Sequence, residues 1–477
     1  MELAVGDSYA VYSRVEVVKA GQCWLWGFVF GTLTPDVVIR YSAAFAEYCR
    51  FGKIVVGWDG RRTGEYIDDL VVANLLACGT DVIDLGIAPT PTIGIAVEQL
   101  HADGGIAITA SHNPMEWNGL KFIGKSGLFL NAGENQALSA ILNRGNPVYV
   151  PWNETGRHLA DHSFIRQHID MVLNLPYLRV KDIQSRHLKV AVDCINAAGG
   201  VIVPRILRDL GCEVVECNCD VSGIFSRIPE PVPENLTQFA GLVRDEHADI
   251  GIVVDPDVDR LVLITEKGEP FGEEYTITAV VKFVLEQAKR RGINDQSVVV
   301  NLSTTQAVED VAKSYGAKLF RTPVGEINVA SKMKEVGAII GGEGSGGVIL
   351  PAVHYGRDAI VGIGLILQYL VDRSGTLSEL RSQLPSYTIV KSKFHIEGVN
   401  LTNIFNELRK KYSGISEMNT DDGLKIGFDH SWVHLRPSNT EPIVRVIAEA
   451  PTAEEAHALL KQIQEHFHTV GDSHASL

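Results

Sequence analysis

Long apolar runs, a surplus of basic residues and a complete set of zinc-binding cysteines are all missing from this sequence of 477 residues. No run reaches the roughly 18 apolar residues that a membrane-spanning helix needs, and the longest, residues 359–371, has a helical pattern. Lysine and arginine total 43 against 58 acidic residues, a formal net charge of -15. This balance predicts a soluble protein that binds neither nucleic acid nor a membrane, and an anionic substrate would need a local basic pocket.

Cysteine and nucleotide-binding signatures are equally scarce. The seven cysteines are an odd number and lie mostly in apolar stretches, which predicts a reduced, cytoplasmic protein. Cys212, Cys217 and Cys219 lack a fourth ligand at zinc-finger spacing. The sequence has no Walker A motif and no dinucleotide-binding fingerprint followed by an acidic residue, so nucleotide binding has little support.

What the sequence does contain is one pattern repeated three times. Each copy has a β-rich opening, a helix-like stretch that ends at a glycine, a second strand and a later third strand, and glycine is the residue expected just past a helix end. The openings are Lys53-Ile-Val-Val, Lys189-Val-Ala-Val and Ser297-Val-Val-Val. The second strands follow Gly79, Gly211 and Gly316, and the third are Gly105-Ile-Ala-Ile, Gly251-Ile-Val-Val and Gly337-Ala-Ile-Ile.

This alternation predicts three topologically similar α/β domains with mainly parallel sheets, in which ligands bind beyond the carboxyl ends of the strands. After about residue 385 the pattern changes to strand, helix, strand and strand, with residues 399–412 amphipathic, which predicts a smaller C-terminal α+β domain. The predicted domains are 1–160, 161–269, 270–385 and 386–477, arranged around a central cleft.

A different polar loop follows each third strand. The serine loop, Thr109-Ala-Ser-His-Asn-Pro114, follows the first and makes Ser111 a candidate covalent carrier, although these are also ordinary turn residues. The aspartate loop, residues 255–260, follows the second. Its carboxylates at Asp255, Asp257 and Asp259 would converge in an extended loop, where oxygen ligands without His or Cys favour Mg²⁺. A solvated acidic turn is the alternative, and the adjacent Arg260 could hold a phosphate.

Two more loops suit a phosphosugar. The glycine loop, residues 341–347, carries Glu343 and Ser345, which can hydrogen-bond vicinal sugar hydroxyls, although a flexible hairpin without a ligand would look similar. The arginine loop, residues 436–442, offers Arg436, Ser438, Asn439 and Thr440, and a strand bearing Arg445 follows it. Several donors and one or two cations suit a phosphate, and the alternative is a surface turn.

The four loops, in this order and spacing, resemble those of the α-D-phosphohexomutase family, which includes phosphoglucosamine mutases, phosphomannomutases and phosphoglucomutases. The resemblance covers residues 31–460. Lesser matches are Val56-Gly-Trp-Asp, Pro89-Thr-Pro91, Pro229-Glu-Pro231 with Glu234-Asn-Leu236, and Arg321-Thr-Pro-Val-Gly325.

The resemblance implies an intramolecular phosphotransferase that interconverts hexose 6-phosphate and hexose 1-phosphate. Ser111 is expected to be a phosphoserine, bridged by one Mg²⁺ per chain to Asp255, Asp257 and Asp259, and a hexose 1,6-bisphosphate is expected as intermediate and activator. The expected catalytic residues are Ser111, Lys121, His112 and Arg260, with Lys121 first for proton transfer or phosphate neutralisation. The expected substrate-binding residues are Glu343, Ser345, Arg436, Ser438, Asn439, Thr440 and Arg445.

Two departures from the family qualify the resemblance. Many members carry a histidine where this chain has Gly347, which leaves His112 and His354 as weaker acid/base candidates. The family's Gly-Ile-Arg-Gly segment near the start is also missing, with Phe30-Gly-Thr32 as its possible remnant. Three explanations stay open: Arg40, Arg61 or Arg62 substitutes for its arginine, turnover is impaired, or the true start of the protein lies elsewhere.

The preferred sugar depends on one or two hydroxyl contacts, which differ by only about 1–3 kcal/mol. The form of the glycine loop favours glucosamine phosphate narrowly over a phosphomannomutase/phosphoglucomutase. A phosphosugar-binding protein with impaired turnover is the alternative from another class. The acidic composition is compatible with a monomer or a dimer.

Overall fold

The computed structural model describes residues 19–20, 24–29, 31–395, 401–414, 416–437 and 443–474, which form four β-sheets in chain order with helices packed against them. Within these residues no helix combines the length and the apolar character needed to cross a membrane. The multi-domain α/β architecture expected from the sequence is confirmed.

The first sheet has seven strands in the order β1-β2-β6-β5-β3-β4-β7. Strands β3, β4, β5 and β7 run parallel, whereas β6 pairs antiparallel with both β5 and β2. The strands are β1 (Lys19–Ala20), β2 (Trp24–Phe28), β3 (Ile54–Trp58), β4 (Val82–Ile87), β5 (Gly104–Ile108), β6 (Trp117–Gly124) and β7 (His158–Ala160). The helices are α1 (Pro35–Tyr48), α2 (Gly64–Ala77), α3 (Thr90–Gln99) and α4 (Ala132–Arg144).

The second sheet has the order β11-β10-β8-β9, in which only β11 is antiparallel. Its strands are β8 (Lys189–Asp193), β9 (Glu213–Cys217), β10 (Ile250–Val254) and β11 (Leu261–Thr265). The helices of this region are α5 (Phe164–Leu173), α6 (Val180–Arg186), α7 (Gly199–Asp209), α8 (Thr237–Asp245) and a short 3₁₀ turn at Pro233–Asn235.

The third sheet repeats this arrangement in the order β13-β12-β14-β15, with β15 antiparallel. Its strands are β12 (Ser297–Asn301), β13 (Lys318–Thr322), β14 (Ile340–Glu343) and β15 (Gly347–Ile349). The helices are α9 (Glu273–Arg290), α10 (Gln306–Ser314), α11 (Glu326–Val336), α12 (Ala359–Arg373) and α13 (Leu377–Ser382).

The fourth sheet is antiparallel throughout, in the order β16-β20-β19-β18-β17. Its strands are β16 (Thr388–His395), β17 (Glu417–Asn419), β18 (Leu424–Gly427), β19 (Trp432–Pro437) and β20 (Ile443–Ala450). Helices α14 (Leu401–Tyr412) and α15 (Ala453–His474) accompany it, and the expected change to an α+β unit is present. The domain limits at 160, 269 and 385 stay a prediction.

The three-fold repeat explains where the polar loops lie. In each α/β unit the third strand (β5, β10 or β14) turns back into an antiparallel neighbour. The serine and aspartate loops are two of these connections. The glycine loop is shorter than predicted, because residues 341–343 belong to β14 and Gly347 begins β15, which leaves residues 344–346 as the third connection. Gly79, Gly211 and Gly316 have φ of 83°, 75° and 70°, the left-handed conformation expected after a helix. One strand prediction is wrong at its start, because Gly337 is the left-handed cap of α11 and β14 begins only at Ile340.

Candidate active site

Ser111 lies in a tight turn directly after β5 and is only 2% exposed. Its φ of 48° is left-handed, a conformation that costs a non-glycine residue about 1–3 kcal/mol. Its backbone N–H donates to Thr109 Oγ1 over 2.8 Å, and its Oγ donates to Asp255 Oδ2 over 3.2 Å. His112 Nδ1 is 3.3 Å from the same Oγ. The turn therefore aims the hydroxyl at the aspartate loop.

A buried arginine holds this turn in shape. The Arg61 guanidinium donates to the carbonyl oxygens of Pro114 (2.8 Å), Trp117 (3.0 Å) and Ser111. Its Nε lies 2.8 Å from Asp59 Oδ2, which also accepts from Thr109 Oγ1 over 2.7 Å. Arg61 therefore pairs with groups of the protein itself.

The other two cations that could replace the family's N-terminal arginine are Arg40 and Arg62, and both are exposed. Arg40 lies on α1, and Arg62 lies next to the buried clamp just before α2. Residues 1–18, 21–23 and 30, where the departure from the family begins, lie outside the described residues.

The three aspartates of the aspartate loop converge as the sequence predicts. They are buried, with one carboxylate oxygen of each within 4.8 Å of the others. The loop curls because Asp255 Oδ1 accepts the backbone N–H groups of Asp259 and Arg260, both at 3.1 Å. Asp257 Oδ1 and Asp259 Oδ1 have no hydrogen-bond partner within the described part of the chain. Burial, and then repulsion by Asp259 and Asp257, raise the pKa of Asp255 well above its usual value.

Two cations border the aspartates. Lys121, on β6, places Nζ 2.5 Å from Asp257 Oδ2 and 3.6 Å from Asp259 Oδ2. Burial opposes its charge, but attraction to the aspartates outweighs burial and raises the pKa of Lys121. Arg260 Nε lies 4.0 Å from Asp255 Oδ2 and 3.9 Å from Asp259 Oδ1. Lysine 121 is therefore a fixed positive charge beside the oxygens that a metal would share.

His112 differs from Lys121 because it is held neutral. Burial, followed by the positive charge of Arg260, lowers its pKa well below the usual value. A neutral imidazole next to the Ser111 hydroxyl can accept a proton, whereas a permanently charged ammonium cannot.

Glu343 ends β14 and is firmly held at the glycine loop. Its Oε1 accepts from Asn301 Nδ2 over 2.8 Å and from the Gly325 N–H over 3.1 Å, and its Oε2 lies 2.8 Å from Arg357 Nη1. Ser345 is half-buried on the turn that follows.

Several residues of this region were missed by the sequence reasoning. Thr90 donates to Asp257 Oδ2 over 2.9 Å, and it lies in the Pro89-Thr-Pro91 match, which was the available signal. Arg357 is the largest omission, since its guanidinium reaches both Asp259 and Glu343. It stands fourteen residues after Glu343 in no quoted motif, so only the fold reveals it.

The charges of the site do not balance on their own. Five carboxylates meet there, from the three aspartates, Glu326 and Glu343, against the three cations Lys121, Arg260 and Arg357. Two negative charges are left over. Burial raises the pKa of Glu326 as well, so the site disfavours this excess. A divalent cation with oxygen ligands fits both the donor set and the surplus charge.

In the fourth sheet, Arg436 and Arg445 are directly opposite each other on β19 and β20, and Lys393 is opposite Arg445 on β16. Opposite residues of paired strands share a face, so three cations are adjacent there, which is unfavourable without an anion. Arg436 Nε lies 2.7 Å from Asp422 Oδ2. Lys393 was not predicted from the sequence, and Ser438, Asn439 and Thr440 lie outside the described residues.

His354, the other histidine candidate, belongs to a separate buried group. Its Nε2 is 3.4 Å from Asp358 Oδ2, which lies 2.8 Å from His168 Nε2. His168 Nδ1 in turn lies 2.9 Å from Thr92 Oγ1. These contacts join elements of the three α/β units, and they do not include Ser111.

Comparison with known proteins agrees with this arrangement. Models of the four phosphoglucomutase/phosphomannomutase domains match the chain: alpha/beta/alpha domain I at residues 26–148, domain II at 166–268, domain III at 273–387 and the C-terminal domain at 398–466. A solved phosphoglucomutase/phosphomannomutase family protein from Burkholderia thailandensis has a TM-score of 0.80 and 26% identity, covering 94% of this chain and 95% of that one.

Two curated relatives cover nearly the whole chain. A probable phosphoglucosamine mutase from Methanopyrus kandleri is 33% identical over 444 residues, 92% of this chain and 95% of that protein. A phosphoglucomutase/phosphomannomutase from Thermococcus kodakarensis is 37% identical over 437 residues, 90% of this chain and 94% of that protein. With four domain matches in order and relatives of this coverage, the chain belongs to the α-D-phosphohexomutase family and is a phosphohexomutase.

Proposed function

We propose that this phosphohexomutase works through a phosphoserine at Ser111, with glucosamine 6-phosphate and glucosamine 1-phosphate as the favoured substrate pair. One observation carries the proposal: Ser111 Oγ lies 3.2 Å from Asp255 Oδ2, at the edge of three buried, converging aspartates. Phosphoryl transfer needs positioning and charge neutralisation more than covalent help from the protein.

The aspartate loop is proposed to hold one Mg²⁺ through Asp255, Asp257 and Asp259. Support comes from the buried Oδ1 atoms of Asp257 and Asp259, which have no hydrogen-bond partner among the described residues, and from the surplus of two formal negative charges. Bound there, Mg²⁺ supplies a Lewis acid that neutralises charge on phosphoryl oxygens. The side chains themselves keep the site buried, which limits the access of water to the phosphoserine.

In the first transfer, the bond between phosphorus and Ser111 Oγ breaks and a bond to the free hydroxyl oxygen of the hexose monophosphate forms. The hydroxyl proton passes to a base, and Ser111 Oγ leaves as an oxyanion that takes up a proton. We assign the proton-carrying role to His112, which is neutral and 3.3 Å from Oγ. The 1,6-bisphosphate then turns over and returns its other phosphoryl group to Ser111, and the same bisphosphate added in trace amounts activates unphosphorylated enzyme.

Lys121 and Arg260 are proposed to neutralise charge rather than to move protons. Lys121 is already paired with Asp257, and its raised pKa keeps it protonated. Arg260 stands at the other side of the aspartates, 4.0 Å from Asp255 Oδ2. Both are therefore placed to stabilise a phosphoryl group in transit.

The remaining predicted residues are proposed to bind the sugar phosphate. Glu343 and Ser345, at the glycine loop, hydrogen-bond to the sugar hydroxyls. The phosphate that does not react is held by the fourth domain, through Arg436, Ser438, Asn439, Thr440 and Arg445. The cations opposite one another on β19 and β20 support this assignment, because an anion would relieve their repulsion.

The sugar itself is the finest part of the proposal. The glycine loop favours glucosamine phosphate, and the runner-up is a phosphomannomutase/phosphoglucomutase. The two curated relatives carry one name each, at 33% and 37% identity, and so support either choice. A second candidate, a phosphosugar-binding protein with impaired turnover, is favoured only by the missing N-terminal arginine segment, since Arg61 is engaged by Asp59 and by backbone carbonyl oxygens around the serine loop.

The experiment that tests the proposal compares glucosamine, glucose and mannose 1-phosphates with the purified chain, Mg²⁺ and a trace of hexose 1,6-bisphosphate in a coupled assay. Turnover that is fastest with glucosamine 1-phosphate is expected. Faster turnover of the other sugars would favour the runner-up, and substrate binding without any turnover would favour the binding protein.

A further inference from the structure

A single buried guanidinium joins two of the loops assigned above. Arg357 lies between β15 and α12 and sends each of its three nitrogen atoms to a different carboxylate. Nη2 is 2.6 Å from Asp259 Oδ2, Nη1 is 2.8 Å from Glu343 Oε2, and Nε is 3.0 Å from Glu326 Oε2. Asp259 belongs to the second α/β unit, whereas Glu343 and Glu326 belong to the third.

We propose that Arg357 is a positioning residue that locks the aspartate loop against the glycine loop in the arrangement needed for phosphoryl transfer. This inference rests on the proposed function and assigns to it a residue outside the predicted set. A planar guanidinium can hold three carboxylates in fixed directions, whereas the compact ammonium of lysine cannot.

The lock determines which oxygen of Asp259 is paired and which is left without a hydrogen bond. Arg357 takes Asp259 Oδ2, and Oδ1 is then the oxygen without a hydrogen-bond partner in the described part of the chain. On the other side, Arg357 takes Glu343 Oε2, while Asn301 and the Gly325 N–H hold Oε1. Arg357 thus sets the orientation of one residue at the metal site and of one residue at the sugar site.

The neighbouring structure leaves Arg357 little freedom. Its backbone N–H donates to Glu326 Oε1 over 3.2 Å, so Glu326 holds both ends of the residue. Of the five N–H groups of a guanidinium, three are used in these ion pairs. The other two, one on each terminal nitrogen, are not engaged by these three carboxylates.

Gly347 makes room for this side chain. A Cβ at position 347 would lie 2.4 Å from Arg357 Cδ and 3.0 Å from Cγ, which is too close for either atom to stay in place. The glycine at this position and the arginine ten residues later therefore form a pair, and any larger residue at 347 must displace the guanidinium.

The test measures kcat, KM, thermal stability and the binding of Mg²⁺ alone by calorimetry, for the full chain and four variants. Arg357→Met removes both the positive charge and the planar guanidinium, whereas Arg357→Lys keeps the charge alone. Gly347→Ala displaces the Arg357 side chain without altering any charge. Gly241→Ala is the matched control, because a Cβ there would approach only Arg244 Nη2, at 3.8 Å.

We expect kcat to fall about 100-fold in all three test variants, with a much smaller change in KM, because misplacement by about 1 Å costs that much. Mg²⁺ should bind more tightly to Arg357→Met, which loses a competing positive charge, and with wild-type affinity to Arg357→Lys. A protein that was merely less stable would not gain Mg²⁺ affinity. The control should match the wild type.

If Arg357→Met does not fold, the lysine and Gly347→Ala variants still decide the question through kcat. If the wild type is active and kcat is unchanged in those variants, the inference about Arg357 is overturned but the proposed function is not. The inference would also be overturned if the loss of kcat in each variant matched its loss of thermal stability and Mg²⁺ affinity did not rise in Arg357→Met. A folded wild type without turnover on any of the three sugar phosphates would instead overturn the proposed function, and the inference with it.

Discussion

Ser111 combines a strained backbone with a hydroxyl aimed at carboxylates. The strain lowers the stability of the fold, and a role of the hydroxyl in the reaction would account for it. Its φ of 48° and its 3.2 Å contact with Asp255 are both imposed by the turn. Replacing Ser111 with Ala should therefore abolish mutase turnover and the phosphorylated species seen by intact-mass spectrometry, with little loss of stability. Ser126→Ala, at an exposed serine after β6, is the control. Substantial residual activity would remove Ser111 from the mechanism.

Asp257 is the aspartate with the clearest partners, which makes it the best probe of the metal site. Its Oδ2 accepts from Lys121 and Thr90, while its Oδ1 has no hydrogen-bond partner in the residues that the structure covers. Asp257→Asn should raise the Mg²⁺ concentration needed for half-maximal activity, since a charged ligand becomes neutral. Asp245→Asn, at the exposed last residue of α8, should leave the titration unchanged. An unchanged titration for Asp257→Asn would argue against the metal assignment.

At the scale of elements, the serine loop depends on the clamp formed by Asp59 and Arg61. Arg61→Met would leave Asp59 buried without its cation, and breaking such a pair costs about 3–5 kcal/mol. We expect that loss in urea unfolding, together with a lower kcat because the loop is no longer held. Arg62→Met, at the exposed neighbour, should change stability by less than about 0.5 kcal/mol. Equal stability of the two variants would show that the clamp is unimportant.

The repeats and loops could be predicted because their signals are local. A buried strand, a polar loop and a glycine after a helix are each encoded within a few residues, and the loops after Ile108 and Val254 were correctly placed at strand ends. In the third unit, β14 continues to Glu343, three residues into the predicted loop. Long-range pairing has no such signal. The antiparallel β2, at Trp24–Phe28, and the reach of Arg357 to Asp259 depend on segments about one hundred residues apart. Gly337 was wrongly assigned to a strand because a glycine followed by apolar residues is found both at the start of a strand and just after the end of a helix.

At the scale of the whole molecule, polar side chains of the fourth sheet contact the third α/β unit. His434 Nδ1 lies 2.9 Å from Ser303 Oγ, and its Nε2 is 2.7 Å from the carbonyl oxygen of Asp422. Lys425 Nζ donates to the Leu302 carbonyl oxygen over 2.5 Å. His434 and Lys425, on the fourth sheet, thus form polar contacts with the loop that follows β12.

Acid should weaken that contact. Burial lowers the pKa of His434 to about 4, so between the ordinary histidine value near 6.5 and 4 the unfolded chain binds the proton and the folded chain does not. The contribution of neutral His434 to the free energy of unfolding is therefore fully present above pH 6.5. It decreases as the pH is lowered, by up to on the order of 3 kcal/mol below pH 4. Thermal melts of wild type and His434→Gln over this range test the claim. The variant should lose part of the pH dependence, and parallel curves would contradict it.

The central claim, a phosphohexomutase that carries its phosphoryl group on Ser111, is tested most directly by one coupled assay. Wild type and Ser111→Ala are compared on glucosamine, glucose and mannose 1-phosphates, with Mg²⁺ and a trace of hexose 1,6-bisphosphate. The account predicts turnover by the wild type, fastest with glucosamine 1-phosphate, and none by the variant. Equal turnover by both proteins, or a folded wild type that converts none of the three, would contradict it.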